Sequence, residues 1–491
     1  MTACHPLPET SSAAPHAFDE DHLNALPLEQ LPQALAAIFA ACAHAGAGPL
    51  PFHAFEPQLC QAMAVITRRA LASALASFDL DMPHVRAGDT AFRRVYRGQA
   101  PYLTQAGEVH VTRSLYRPCA SDDTATVCPL EMNTGVIAGY WTPAAAKLAT
   151  FALTVLTPTD AHALFARAGQ MSPSRACLAR VIAPIHDMWE GDRMNFEYDL
   201  TQEDAIPQQA CVLAASLDGV MLPMTHGDKP KRKADAQAKE KSGSGPIGYK
   251  EAGCATLSLY DDAGERLKTL YYGRMPQAHK DAVKDWLYEE VKRIKAQRPD
   301  LRLIGIADGA KDNWSCLQDD LGCDILTLDF YHATEHLKVA CDAAFKDKKA
   351  SKAAYEKWRR ILLEEEKGAE EVIKMLKRLN KKRPKNKVIA RERQYFEQRK
   401  EQMGYAARKA RGEPIGSGVV EAACKTLVVE RMRRSGMRWS QGGGQAIMTW
   451  RALVLSRQFD RAWALVSARF VHPVSAPQNI IPLNRHHAAF A

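Results

Sequence analysis

Long apolar runs are missing from this 491-residue chain, and the best candidate, residues 144–156, is short and carries Lys147. A membrane-spanning helix needs about 18 or more such residues in succession, so none is expected. The first twenty residues lack a basic start followed by an apolar stretch. No secretory signal is read there, and the expected location is the cytoplasm. Twelve cysteines are present, but no Cys-x-x-Cys pair. Cys211, Cys254, Cys323 and Cys424 sit in apolar segments, where a reduced thiol acts as a small hydrophobe. Cys119 and Cys128 stand by themselves near a strand-like stretch, and two ligands cannot complete a tetrahedral zinc site.

What is present is enough for several globular domains: 46% hydrophobic and 25% charged residues. The formal charge of +9 is unevenly spread. Residues 331–440 hold 29 Lys and Arg against 15 Asp and Glu, so this stretch is strongly basic and the remainder net acidic. Clustered cations suit a polyphosphate backbone, through release of its counterions; a solvated helical face is the plain alternative.

Along the chain, residues 31–45 and 58–78 have apolar residues at helical spacing, and the first hundred residues read as helices. Residues 108–116 alternate as a short strand would. Thr157 to Asp160 gives a helix start, Gly169 a break, and Ser172 with Pro173 the cap and first turn of a second helix. Two such helices make a helix-turn-helix, on whose second member Arg175 and Arg180 would face DNA. Residues 229–248 are basic and then Gly/Ser-rich, a flexible insertion.

Around that insertion the pattern becomes α/β. Strands are expected at 210–222, 255–260 and 267–272, then a long amphipathic helix at 278–298 with Val283, Trp286, Leu287, Val291 and Ile294 in one stripe. A fourth strand at 301–307, a short helix at 314–321 and a fifth strand at 324–328 follow. Three strands, helix, strand, helix, strand is the order of the ribonuclease H fold. Residues 333–411 read as a charged all-helical insertion with a Lys-rich break at 380–387 holding Lys381, Lys382 and Arg383, and 417–469 as a final helical block. The organisation expected is thus a helical N-terminal region (1–105), a short strand region with the helix-turn-helix (106–200), a first core part (205–335), the basic insertion (336–412), C-terminal core helices (413–470) and a tail (471–491).

Asp218 stands in an otherwise apolar strand, and Asp308 ends another, where an ionised carboxylate is costly without compensation. In a ribonuclease H-like sheet these two strands are neighbours, so the carboxylates approach one another, which favours a bound cation or a raised pKa. Mg²⁺ or Mn²⁺ suits such oxygen ligands, and a pair of ions suits in-line phosphoryl displacement. Ser417 starts a helix that carries Glu421 one turn in, as a third acid. Glu430 is the weaker substitute. Each acid also has a plain reading: Asp-Gly is a turn signal, and Glu favours a helix N-terminus. Arg431, Arg433, Arg434 and Arg438, with Trp439 beside them, offer guanidinium groups for phosphates and a ring for stacking on a base.

Ser216 to Gly219, Ala307 to Ala310, Asp329 to His336, Gly416 to Glu421 and the arginine run ending at Trp439 together resemble the bacterial insertion-sequence DDE transposases allied to the Mutator-like group. In that family an Asp- or Cys-x-x-His motif precedes a helical insertion, and the resemblance covers roughly residues 210–463. It implies a metal-dependent transposase that cuts and joins DNA. Asp218, Asp308 and Glu421 would be the ligands of two Mg²⁺ or Mn²⁺ ions, and Asp329 and His332 accessory residues near the scissile phosphate. The helices before residue 200 would bind the ends of the element. Its partners would be the transposon ends and target DNA, engaged as a homo-oligomer on paired ends in the nucleoid. The family often has a cysteine knuckle near the Tyr116 strand, where only Cys119 and Cys128 stand here, with unusual spacing.

Two other classes fit parts of the chain. His332, Glu335 and His336 match the His-x-x-Glu-His order of some zinc peptidases, which leaves Asp218 and Asp308 unexplained. A DNA-binding protein without catalysis would use the helix-turn-helix alone, which leaves all three acids unexplained.

Overall fold

A computed structural model describes residues 18–47, 51–120, 125–225 and 248–476. The insertion expected at 229–248 lies outside them apart from Gly248, as does most of the tail. The chain divides into two compact units, 1–189 with 463–491, and 190–462.

In the first unit, helices α1 (Glu20–Ala25), α2 (Leu31–Ala43) and α3 (Phe52–Ala76) precede a sheet. The expectation of helices throughout the first hundred residues is corrected here: β1 (His84–Ala87) and the long β2 (Thr90–Thr104) form an antiparallel ladder with β3 (Gly107–Pro118). The two-residue strand Val474–Ser475 adds to the free edge of β1. Only Phe92, Ala100, Tyr102, Leu103 and Thr104 of β2 are buried, and Arg93, Arg94 and Arg97 face outward. That half-solvated face, with Gly98 and Pro101 in the strand, hides the alternation. Helices α4 (Pro129–Thr134), α5 (Pro143–Val155), α6 (Pro158–Ala168) and α7 (Arg175–Gly191) follow. Thr157 caps α6 by accepting from the Asp160 amide at 3.1 Å, and Gly169 ends it in the left-handed region at φ 74°. The second helix starts later than expected, at Arg175, with the Ser174 hydroxyl accepting from the Cys177 amide at 3.2 Å. Ser172 and Pro173 belong to the connection.

The second unit opens with α8 (Arg193–Glu203) and builds a five-stranded sheet. Its strands are β4 (Val212–Pro223), β5 (Tyr249–Tyr260), β6 (Arg266–Arg274), β7 (Arg302–Ala307) and β8 (Ile325–Leu328), in the spatial order β6-β5-β4-β7-β8. The first three are antiparallel neighbours, and β7 and β8 run parallel to β4. Helix α9 (Asp281–Gln297) connects β6 to β7, and α10 (Lys311–Ser315) with a π-helical turn, Cys316–Asp320, connects β7 to β8. Alternation along the strands separates two faces. Leu213, Ala215 and Leu217 pack with the expected stripe of α9, all of whose five residues are buried, and Tyr272 stacks on Trp286 at 4.6 Å. Val212 and Ala214 pack with Ile304 and Ile306 on the opposite face.

After β8 the chain is helical: α11 (Phe330–Ala344), α12 (Lys348–Glu364), α13 (Gly368–Lys382), α14 (Lys387–Gln398) and α15 (Tyr405–Ala410). These helices have a core of their own, including Leu337, Leu362, Val372, Leu376 and Phe396. The Lys-rich break falls at 383–386, where Asn386 caps α14. Then come α16 (Gly418–Ala423), continued by a π-helical stretch through Val429, and α17 (Gln441–Leu455), which packs on β6.

Candidate active site

The parallel ladder between β4 and β7 sets the geometry. Its partners run from Val212 with Arg302 to Ser216 with Ile306 at constant offset. Continued by two residues, the same register brings Asp218 level with Asp308. Asp218 lies within β4, opposite Cys254 of β5, and both aspartates are half-buried. Burial raises the pKa of Asp218, and the nearby charge of Asp308 adds to the rise, while the Gly219 amide and Lys280 oppose it. Asp218–Gly219 is no turn, because β4 continues to Pro223. Gly219 instead lets the Glu251 side chain pass where a Cβ would stand. Asp308–Gly309 does turn, with Gly309 at φ 102°.

Asn313, which sequence reasoning missed, fixes this turn. Its buried amide donates to the Leu217 carbonyl at 3.2 Å and to Asp308 Oδ1 at 3.4 Å, joining the two aspartate-bearing segments. The Ala310 amide gives Asp308 Oδ1 a second donor at 3.0 Å.

Helix α16 packs on β4 and β5. Cys424, at its C-terminal end, donates to Asp218 Oδ2 at 3.7 Å, and a hydrogen bond with Cys254, together with burial, holds its thiol far above the usual range. Glu421 stands one turn earlier, exposed, with Oε1 accepting from the Ser417 hydroxyl at 2.8 Å. Among the described residues no three His, Cys, Asp or Glu side chains close into a metal-binding group. The carboxylate of Glu421 is engaged by its own helix cap. The oxygen donors of Asp218 and Asp308, which repel one another when ionised, fit a hard divalent cation, whereas one oxygen of Glu421 is held by Ser417.

Asp329 is fully buried and caps α11. One carboxylate oxygen accepts from the His332 amide at 2.5 Å, and the other from the amide of Ser417. Expected as an accessory residue, it is placed to position others: it ties the end of β8 to the start of the Glu421 helix. His332 is half-buried, 4.9 Å from the ring of His336. His336 is engaged by buried Glu392 at 2.5 Å and stacks on Tyr395 at 3.7 Å, so the zinc-peptidase arrangement gains no support. Tyr395 and Arg399 also escaped the sequence reading. Arg399 lies 4.3 Å over the Tyr395 ring and donates to the Gly309 carbonyl at 3.2 Å. The Tyr395 hydroxyl is buried with no hydrogen-bond partner among the described residues and abuts Gly309, 3.4 Å from where a Cβ would stand. Burial raises its pKa; the Arg399 charge lowers it and the Asp308 and Asp329 charges raise it further.

The basic residues divide. Lys381, Lys382 and Arg383 are exposed at the end of α13, where cations favour the helix dipole. Arg433, Arg434 and Arg438 are exposed on the loop that follows α16. Arg431, expected to meet phosphate, is instead buried, 5.5 Å over the Trp439 ring. Trp439, expected to stack on a base, donates through Nε1 to the Met432 carbonyl at 2.8 Å, and its backbone bridges to Met224 just after β4. This fastens the arginine loop to the end of the strand that carries Asp218. In the first unit Arg175 and Arg180 are both exposed on α7, but five residues apart they leave the helix roughly 140° from one another.

No family model and no curated protein matches the chain. Among solved structures, a likeness is found to a Drosophila P element transposase strand transfer complex, at 11% identity over 66% of this chain and 81% of the other, with a TM-score of 0.24. A likeness at that level fixes neither fold nor function.

Proposed function

We propose that this chain is a DNA transposase of the DDE type, with a ribonuclease H-like core that cleaves and joins DNA strands by metal-dependent phosphoryl transfer. The observation that carries the reading is the parallel β4–β7 register, which, continued two residues past its last pair, brings Asp218 level with Asp308 at the end of β7 in a sheet ordered β6-β5-β4-β7-β8. Burial, with the nearby charge of Asp308, raises the proton affinity of Asp218, a cost that a divalent cation removes.

Asp218 and Asp308 would hold Mg²⁺ or Mn²⁺, with Glu421 as the third ligand. Bound there, the ions would supply an activated oxygen nucleophile and neutralise charge on the phosphate. Asn313, Arg399 and Asp329 hold the acids in place: the first two fix the 308–310 turn, and the third anchors the Glu421 helix to β8. Arg433, Arg434 and Arg438 would lie along the DNA near the reacting phosphate, and Lys381, Lys382 and Arg383 further out. Helices α6 and α7, as a helix-turn-helix, would recognise the element ends. The work would be done by a homo-oligomer holding two ends together.

The test is an incubation of the protein in Mg²⁺ with DNA carrying both flanks of its coding region and a target plasmid. Cut ends and joined products are expected. Specific binding without any cut, in Mg²⁺ or Mn²⁺, would instead favour a DNA-binding protein that lacks catalysis.

A further inference from the structure

At the end of the sheet away from Asp218 lies a cavity of about 410 Å³, lined by Asp204, Arg266, Lys268, Tyr271, Arg457 and Arg461 among others. The ladder gives its distance from the aspartates. Arg266 is level with Tyr260 and Val212, whereas the Asp218 row passes through Cys254 to Gly273. At ~3.3 Å per strand residue, the rows are roughly 23 Å apart along β6.

Four cations here face one acid. Asp204 is buried and engaged on all sides: it pairs with Lys268 Nζ at 2.9 Å and accepts from Gln458 Nε2 at 2.7 Å and from Arg461. With buried Glu290 also acting on Lys268, the acids here answer Lys268 and Arg461 and leave the other two cations in surplus. Arg266 and Arg457 are exposed at the rim, and no ion pair among the described residues engages either of them.

The backbone at Arg457 is an independent sign. Helix α17 ends in a Schellman turn, with the Gln458 amide donating to the Leu453 carbonyl at 2.8 Å and the Arg457 amide to Val454 at 3.1 Å. Arg457 therefore occupies the left-handed position, at φ 59°, which glycine fills most easily. The chain holds a long cation in a strained backbone position, and that side chain lines the cavity.

We propose that this cavity is a phosphate-binding site separate from the carboxylate pair, with Arg266 and Arg457 as its principal ligands and Lys268 and Arg461 as supporting charge. Guanidinium forks match phosphate oxygens in pairs. Leu267, Leu455 and Tyr271 supply apolar wall, and the volume exceeds that of a bare phosphate, which suits a phosphate carried on a sugar. Such a group could belong to a DNA backbone or to a free phosphomonoester.

The test uses the full chain, an Arg266→Ala/Arg457→Ala double variant and an Arg457→Gly variant. Two probes are titrated: a labelled duplex of about 40 base pairs across a range of salt, and inorganic pyrophosphate by calorimetry. If the source is DNA, the double variant should lower the salt slope of duplex binding by about 2, one unit for each phosphate that is no longer neutralised. If the source is a free phosphate compound, pyrophosphate binding should weaken at least tenfold while the duplex slope is unchanged. Arg457→Gly should melt no lower than the wild type yet bind as weakly as the removal of that cation demands, which separates binding from folding. An unchanged duplex slope together with unchanged or absent pyrophosphate binding overturns the proposal. A wild-type chain that binds no duplex would count against the transposase reading, while the pyrophosphate arm would still decide the cavity.

Discussion

Asp218 within β4 and Asp308 just past the end of β7 each lie two residues beyond Ser216 and Ile306, the last paired positions of the parallel ladder, and the charge of Asp308 acts on Asp218. Because Asp218 has its pKa raised by burial and by Asp308, its ionisation opposes folding. Stability should therefore be highest below the ordinary aspartate value of 3.8 as far as this group is concerned, and fall as pH rises through the higher folded value. Thermal melts across pH with and without Mg²⁺ check this: Asp218→Asn should flatten that part of the profile and abolish the gain from Mg²⁺. A gain from Mg²⁺ that survives the substitution would place the cation elsewhere.

Glu421 and Glu430 separate by role. Glu421→Gln is expected to lower strand cleavage about a thousandfold, the order expected if several kcal/mol of transition-state stabilisation are lost, with DNA affinity nearly unchanged. Glu430, exposed and 3.6 Å from Arg451, should tolerate Gln at close to the wild-type rate. Single-turnover cleavage of the two variants decides it, and the opposite ranking would move the third ligand to Glu430.

Tyr395→Phe removes a buried hydroxyl that has no partner among the described residues. The variant should be stabilised by about 1 kcal/mol if the hydroxyl serves only as packing beside Gly309. Denaturant titration gives the sign, and a loss of stability would show that the hydroxyl is satisfied in solution. Glu392→Ala, by contrast, strips fully buried charge from His336 and Arg391 and should destabilise by about 3 kcal/mol or more.

Arg431 and its neighbours should part company in binding experiments. Arg431→Ala should lower stability by about 2 kcal/mol, since it takes a buried side chain from the Trp439 ring. Replacing Arg433, Arg434 and Arg438 together should leave the melting temperature nearly unchanged while making the salt dependence of DNA binding shallower. Equal effects on stability from both sets would remove the exposed loop from the DNA path.

What was legible in the sequence was what alternation and period record. The apolar strand that carries Asp218, the one that leads into Asp308, the Val283 to Ile294 stripe and the helical run after Leu328 all follow from side chains that face a dry core on one side. The β1–β2 ladder was hidden because its outer face is charged and only scattered residues, Val85 and Phe92 among them, face inward. Asn313, Tyr395 and Arg399 were illegible for another reason: they reach the Asp308 turn across folded distance, from a helix and an insertion whose return path no spacing records. Arg431 misled because a guanidinium laid over Trp439 reads in sequence like one exposed to phosphate.

The central claim is that Asp218 and Asp308 act as one metal-dependent unit on DNA. Single-turnover cleavage of flanking DNA in Mg²⁺ by the wild type, Asp218→Asn and Asp308→Asn tests it most directly. Cutting by the wild type alone, with all three proteins binding the DNA about equally, is the predicted result; a variant of either aspartate that cuts at the wild-type rate would contradict it.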